Sequence, residues 1–213
     1  MRAFLLGAVF GALCHQRGIT PLHASAIDFA DGCVAFVGAS GAGTSTLAAA
    51  LAQRGHEIIA DDECFLQLGT RGEVQAGPGI SRVRLWEDTR AALGLDHPGI
   101  EQESQGHSKR SIALHGPRNP ITSRPLRGVY QLHRIPTGVA KVTRLRGADA
   151  VEVLMQNVYP PGFAARLGYG SNVFNVCAVA ARDIPVFRLS RPHDFAALDQ
   201  VIELLENQLR AIP

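Results

Sequence analysis

Neither sign of charge dominates this chain: 21 lysines and arginines face 19 aspartates and glutamates, a formal net charge of +2 over 213 residues. A surface built to neutralise a phosphate backbone needs a clear basic excess, so nucleic acid is excluded as the expected partner. Cysteine is scarce and unpatterned. Cys14, Cys33, Cys64 and Cys177 show no C-x-x-C spacing. That leaves neither a zinc frame nor a disulfide scaffold and points to a reducing, cytoplasmic setting in which reduced thiols act as small hydrophobes. No His or Cys cluster carries metal-ligand spacing, and no segment repeats. Long apolar runs are missing too. The opening MRAFLLGAVFGALC is shorter than the roughly 20 residues a bilayer span requires and is followed by no small-x-small cleavage site. It reads as a buried amphipathic helix over 1–17 that ends near Gly18, and no membrane partner is expected.

What is present suffices for a full core. With 46% hydrophobic and 19% charged residues, the chain reads as a single domain over 1–213. The most informative stretch is CVAFVGASGAGTSTLAAAL, Cys33 to Leu51, in which an apolar strand feeds a glycine-rich turn and then a helix. That is the layout of a phosphate-binding loop, G-x-x-x-x-G-K-[ST], whose backbone N–H groups turn inward around phosphate oxygens at a helix N-terminus. Gly38, Ala39, Ser40, Gly41, Ala42, Gly43, Thr44, Ser45 and Thr46 are therefore the candidate nucleotide-binding residues. One feature departs from the pattern. Thr44 stands where a lysine would reach the terminal phosphates.

Around that loop, Leu22–Phe29 alternates like a strand, Asp31-Gly32 supplies a hairpin turn, and Gly55 stops the helix. The short strand in His56–Asp62 ends in two adjacent carboxylates, Asp61 and Asp62. In a mostly parallel sheet they would face the same crevice as the glycine loop. One acid is suited to Mg²⁺, directly or through water, and the other to accepting a proton from an attacking hydroxyl. Ser81–Trp86 reads as a strand with Arg82 and Arg84 on one face, able to reach phosphate or an acidic substrate, and with Trp86 packed in the core. Residues 95–125 read as a loop or lid holding one short strand, where Lys109 and Arg110 are candidates for the charge that Thr44 cannot supply. Further on come strands at RGVYQLHRI and KVTRLR, helices at Ala148–Asn157 and Ser171–Ala181, and a strand at Ile184–Leu189 whose Pro185 favours a start or an edge. A core-packed helix over Asp194–Leu209, with Phe195 on its apolar face, closes the pattern.

Three blocks carry a family likeness. PLHASAIDF, VGASGAGTSTLAAALAQRGHEIIADD and the strands behind them resemble the catalytic domain of HPr kinase/phosphorylase, which has a similar histidine, glycine loop and R-G-H-x-x-x-A-D-D run in that order. The likeness is specific over residues 18–65. PG-x-x-x-x-RLW at Pro78–Trp86, Lys109-Arg110 and PLRGVY look like the small HPr-kinase-related proteins of lasso-peptide biosynthesis. The resemblance implies an α/β fold shared with phosphoenolpyruvate carboxykinase, with a mixed central sheet and flanking helices. It implies an ATP- and Mg²⁺-dependent kinase acting on a serine at the C-terminal end of a precursor peptide, in a family that assembles into homo-oligomers. By it, Asp61 is the proton acceptor, Ser45 and Asp62 hold the metal, His23 sits beside the acid, and Lys109, Arg110 or Arg127 stands in for the lysine. Two other readings stay open: a nucleotide-binding pseudokinase or peptide-binding module, because of Thr44, and a small-molecule kinase or carboxykinase relative.

Overall fold

The computed structural model describes residues 9–78, 83–95, 109–112 and 123–210. In chain order its first elements are α1 (Phe10–Gln16), β1 (Thr20–Leu22), β2 (Ala24–Phe29), β3 (Gly32–Val37), α2 (Thr44–Gln53) and β4 (Ile58–Ala60). There follow β5 (Cys64–Leu68), β6 (Val74–Gly77), β7 (Val83–Trp86), α3 (Glu87–Ala92), β8 (Lys109–Ile112), β9 (Arg124–Ile135) and β10 (Lys141–Leu145). The last are α4 (Gly147–Gln156), α5 (Phe163–Arg166), α6 (Gly170–Asp183), β11 (Val186–Pro192), a 3₁₀ turn (Phe195–Ala197) and α7 (Leu198–Arg210).

Every residue of β3 is buried, and its side chains alternate between two cores. Cys33, Ala35 and Val37 join one apolar cluster, while Val34 and Phe36 join the other. A strand apolar on both faces is stable only inside a sheet covered on both sides. The first face is covered by α4 and α6 through Val153, Leu154, Val173, Val176 and Cys177. The second is covered by α2 through Leu47 and Leu51 and by α7 through Leu198, Val201, Ile202, Leu205 and Leu209. Those α7 positions recur at three- and four-residue spacing, so one stripe of the helix is apolar and each leucine in it contributes roughly 1.5–3 kcal/mol by burial.

Nine strands form one mixed sheet, in which the path β1-β5-β6-β9-β3-β2-β4 is extended beside β9 by β11 and then β10. β3 runs parallel to β9, and β9 parallel to β11. β2 is antiparallel to both β3 and β4. The ends of β3, β4, β9 and β11 and the beginning of β2 therefore meet along one edge. That directional fact builds the site. β7 and β8 make a separate two-stranded antiparallel ladder.

The mixed central sheet with flanking helices is as expected, and what the structure adds is that β2 separates β3 from β4. Several other expectations are corrected here. β5, β6, α3 and α5 add elements to the expected set. The described part of the N-terminal helix buries Gly11, Cys14 and His15 but leaves Val9, Phe10 and Leu13 exposed. β11 lies between β9 and β10 rather than at an edge. Pro185 precedes it, so its missing N–H interrupts no ladder, and its carbonyl accepts from the Val129 N–H. All four cysteines are buried and free, and burial pushes the Cys64 and Cys177 thiols up to about 12. No described helix is long and apolar enough to cross a membrane.

Candidate functional site

The glycine loop joins β3 to α2 as the strand–turn–helix pattern requires. Gly41 (φ +80°) and Gly43 (φ +94°) adopt left-handed conformations that an L side chain resists. Gly43 is constrained a second way, since a β-carbon there would collide with the Arg191 guanidinium. No side chain caps the N-terminus of α2. Its first-turn N–H groups and partial positive charge are thus directed at whatever occupies the loop. The Gly38 N–H is different, because it donates to Asn157 Oδ1 at 3.2 Å.

The acids arrive from β4, and the histidine from the break between β1 and β2. Asp61 is buried and accepts a 2.6 Å hydrogen bond from Ser25 Oγ on β2. Asp62, at φ +65°, turns the other way and lines the cavity above the loop. Its carbonyl oxygen lies 3.0 Å from His23 Nδ1. A carbonyl only accepts, so Nδ1 donates and neutral His23 keeps Nε2 as an acceptor. Next in the chain, Glu63 is only 9% exposed. Burial, reinforced by the negative charge of Asp62, pushes its carboxyl up to about 7. Burial, then Glu63 and Asp62, also raises the Tyr159 phenol.

The cavity over the loop has a volume of about 450 Å³. Its loop side is formed by Ala39, Ser40, Gly41, Gly43, Thr44, Ser45 and Thr46, with His23 and Asp62 beside them. Arg134 at the end of β9, Arg191 at the end of β11, and His193 form a basic wall, while Trp86 and Phe195 add aromatic surface. Burial, then the charges of Arg134 and Arg191, lowers the His193 pKa, partly opposed by Asp88. A second cavity of about 480 Å³ shares His23, Ala39 and Ser40 with the first. Gln131, His133, Gln156, Asn157 and Tyr159 supply its polar lining.

The residues expected from the sequence divide accordingly. His23, Asp62 and the loop from Ala39 to Thr46 meet at one cavity, except that Ala42 is buried and Gly38 lines only the second cavity. Asp61 lies beneath the site and is absent from both linings. Arg127 is corrected as a cation for the loop. It pairs with Asp31 and touches Gly32 at the far end of the sheet, because it precedes the part of β9 that runs toward the site. Arg82 lies outside the described residues. Arg84, Lys109 and Arg110 belong to the separate ladder by backbone register, opposite Ser111, Trp86 and Leu85 respectively. Trp86 and Phe195 are 44% and 42% exposed on the cavity wall instead of packed in the core.

Arg134, Arg191 and His193 were outside the expected set. Their signal is a basic residue at or just past the last positions of a strand, in QLHRI and FRLSRPH. Reading it requires knowing that both strands run parallel to β3.

No protein-family model matches the chain, and neither does any curated protein. Among solved structures, the chain is similar to the HPr(Ser) kinase/phosphatase from Coxiella burnetii. That likeness has a TM-score of 0.45 and 10% sequence identity, over 90% of this chain and 93% of that one.

Proposed function

We propose that this protein transfers the terminal phosphoryl group of a nucleoside triphosphate, ATP, to a serine hydroxyl of a peptide or small protein. The observation that carries this reading is the convergence of the uncapped glycine loop, Asp62 and His23 on one cavity. In the reaction the acceptor oxygen forms a bond to the γ-phosphorus, the bond from that phosphorus to the bridging β,γ-oxygen breaks, and the hydroxyl proton leaves to a carboxylate. Asp62 takes that proton in our reading, because it faces the cavity while Asp61 is buried and held by Ser25. Asp61 then positions its neighbour. His23, fixed through Nδ1, presents Nε2 toward the same space and orients the acceptor.

Mg²⁺ fits the donor set. No group of three metal-ligating side chains occurs among the described residues, yet Mg²⁺ on a nucleotide takes one or two protein oxygens and completes its shell with phosphate and water. Ser45 and Asp62, both on the cavity wall, are the residues that would hold it. When bound, it neutralises charge on the phosphates.

The second cavity supports a neutral acceptor. Its described lining contains amides, histidines and a tyrosine but no lysine or arginine, which suits a peptide hydroxyl better than the small acid of a carboxykinase-type reaction. A serine at the C-terminal end of a precursor peptide is the specific acceptor that the sequence resemblance favours. Incubation with ATP, Mg²⁺ and such a peptide should add one phosphate to the serine, read by mass spectrometry. Binding of ATP without transfer would instead establish the pseudokinase reading that Thr44 raises. Absence of ATP binding at millimolar concentration would overturn both.

A further inference from the structure

The phosphate loop lacks a lysine, but two arginines on the same cavity wall contact its carbonyls. Arg134 and Arg191 are register partners across the parallel β9–β11 ladder. Arg134 donates to the Gly41 carbonyl, and Arg191 donates to the Ala42 carbonyl at 2.9 Å. Arg191 is 3% exposed, and its buried Nε has no hydrogen-bond partner among the described residues. Among the described residues no carboxylate lies within ion-pair distance of either guanidinium. Of the three acids on the described cavity wall, Asp62 belongs to the acceptor side, and the other two accept from backbone N–H groups of their own segments. Asp88 accepts from the Thr89 N–H at 2.6 Å, and Asp194 accepts from the Ala196 N–H at 3.0 Å.

Burying a guanidinium without a counter-charge is costly, and placing a second cation beside it adds to the cost. Burial, and then repulsion from Arg134, depress the Arg191 pKa. Carbonyl contacts hold the two side chains without cancelling their charge. Gly43 leaves room for this arrangement, since a side chain there would displace Arg191. The feature has the character of a built anion site, in which both guanidiniums share one cavity wall with the loop.

We infer that Arg134 and Arg191 form a clamp for the terminal phosphates of the nucleotide, supplying from the ends of β9 and β11 the positive charge that Thr44 does not provide. This rests on the nucleotide reading and specifies where its charge comes from. The two groups differ from a lysine in kind. A guanidinium offers several fixed donors, so it binds a phosphate through paired hydrogen bonds and holds its orientation as well as its charge. The clamp also separates labour within the loop: its backbone and the helix terminus cradle the phosphates, and the arginines neutralise them.

The test uses the full chain and isothermal titration with inorganic tripolyphosphate and with ATP. Arg134 is exposed, so Arg134→Gln should fold, which a thermal melt verifies; Arg191→Lys keeps the buried charge while removing the fork. Either substitution should weaken both ligands about tenfold or more, and Thr44→Lys added to Arg134→Gln should restore most of the loss. If folded Arg134→Gln and Arg191→Lys bind ATP and tripolyphosphate as tightly as the parent, the clamp is wrong while the nucleotide reading stands. If tripolyphosphate binds in an Arg134-dependent way but no nucleoside triphosphate binds, the clamp stands and the nucleotide reading falls. Binding of neither ligand by the parent overturns both.

Discussion

At the start of β9, Arg127 is paired with Asp31, and Arg124 Nε lies 3.6 Å from Asp28 Oδ1, where β2 turns into β3. At the other end of the same strand, Arg134 reaches a backbone carbonyl and stands beside Arg191. Both ends carry arginine, yet only the first set of cations is matched by carboxylates among the described residues. Surface pairs such as Arg127–Asp31 lock the edge of a sheet and contribute little, about 0–1 kcal/mol. Unmatched guanidiniums against a glycine loop keep their charge available to an anion. The contrast shows why residue type alone is a poor guide to function: partner and place within the sheet decide what an arginine does.

The sharpest way to break this contrast is at the acid. Asp62→Asn should lower phosphoryl transfer about 10²–10⁴-fold with little change in the affinity for metal-free ATP, as read by single-turnover transfer and by titration in the presence of a chelator. If Asp61→Asn abolished transfer and Asp62→Asn did not, the proton acceptor would be the buried residue.

A second test concerns stability at the site end. Glu63 titrates near 7 in the folded chain, above the range it occupies when unfolded. Its protonated form is thus favoured by folding, and stability falls as pH rises toward and through the folded pKa. The full effect is at most about 3 kcal/mol. Relative to Glu63→Gln, the parent should lose stability in urea melts between about pH 5 and pH 8. Parallel pH profiles for the two proteins would show that Glu63 is solvated in the folded state.

Gly43→Ala combines a disfavoured left-handed backbone with displacement of Arg191. It should cost roughly 1–3 kcal/mol of stability and weaken ATP binding; an affinity equal to the parent's would mean that Arg191 does not need its present position. The smallest effect belongs to the far end. Arg127→Gln should change the unfolding free energy by at most about 1 kcal/mol and leave ATP affinity untouched. A large loss of affinity there would erase the distinction between the two ends.

Much of the site was legible because its signals are local. The loop with its flanking strand and helix occupies one continuous stretch, and the histidine and acid blocks adjoin it. The choice between Asp61 and Asp62 was not legible, since successive residues after a strand point to opposite sides and only the Ser25 hydrogen bond shows which is buried. Trp86 was misread because large aromatics usually complete a core, whereas β7 and β8 form a ladder of their own whose end faces the cavity. Phe195 fits an apolar helical stripe, but Asp194 caps a 3₁₀ turn ahead of α7 and leaves the ring at the cavity wall.

Short-range pattern was enough for the glycine loop, because left-handed glycines, an apolar strand and a helix start within a few residues of one another specify a backbone shape without help from elsewhere. The charge of the site depends on distant parts of the chain. Arg134 lies 93 positions from Gly41, and Arg191 lies 149 from Ala42, so their arrival at the loop follows from the parallel pairing of β3, β9 and β11. Thr44 shows in the chain itself that no lysine stands in the loop, and the direction in which three strands run determines which cations stand near its place.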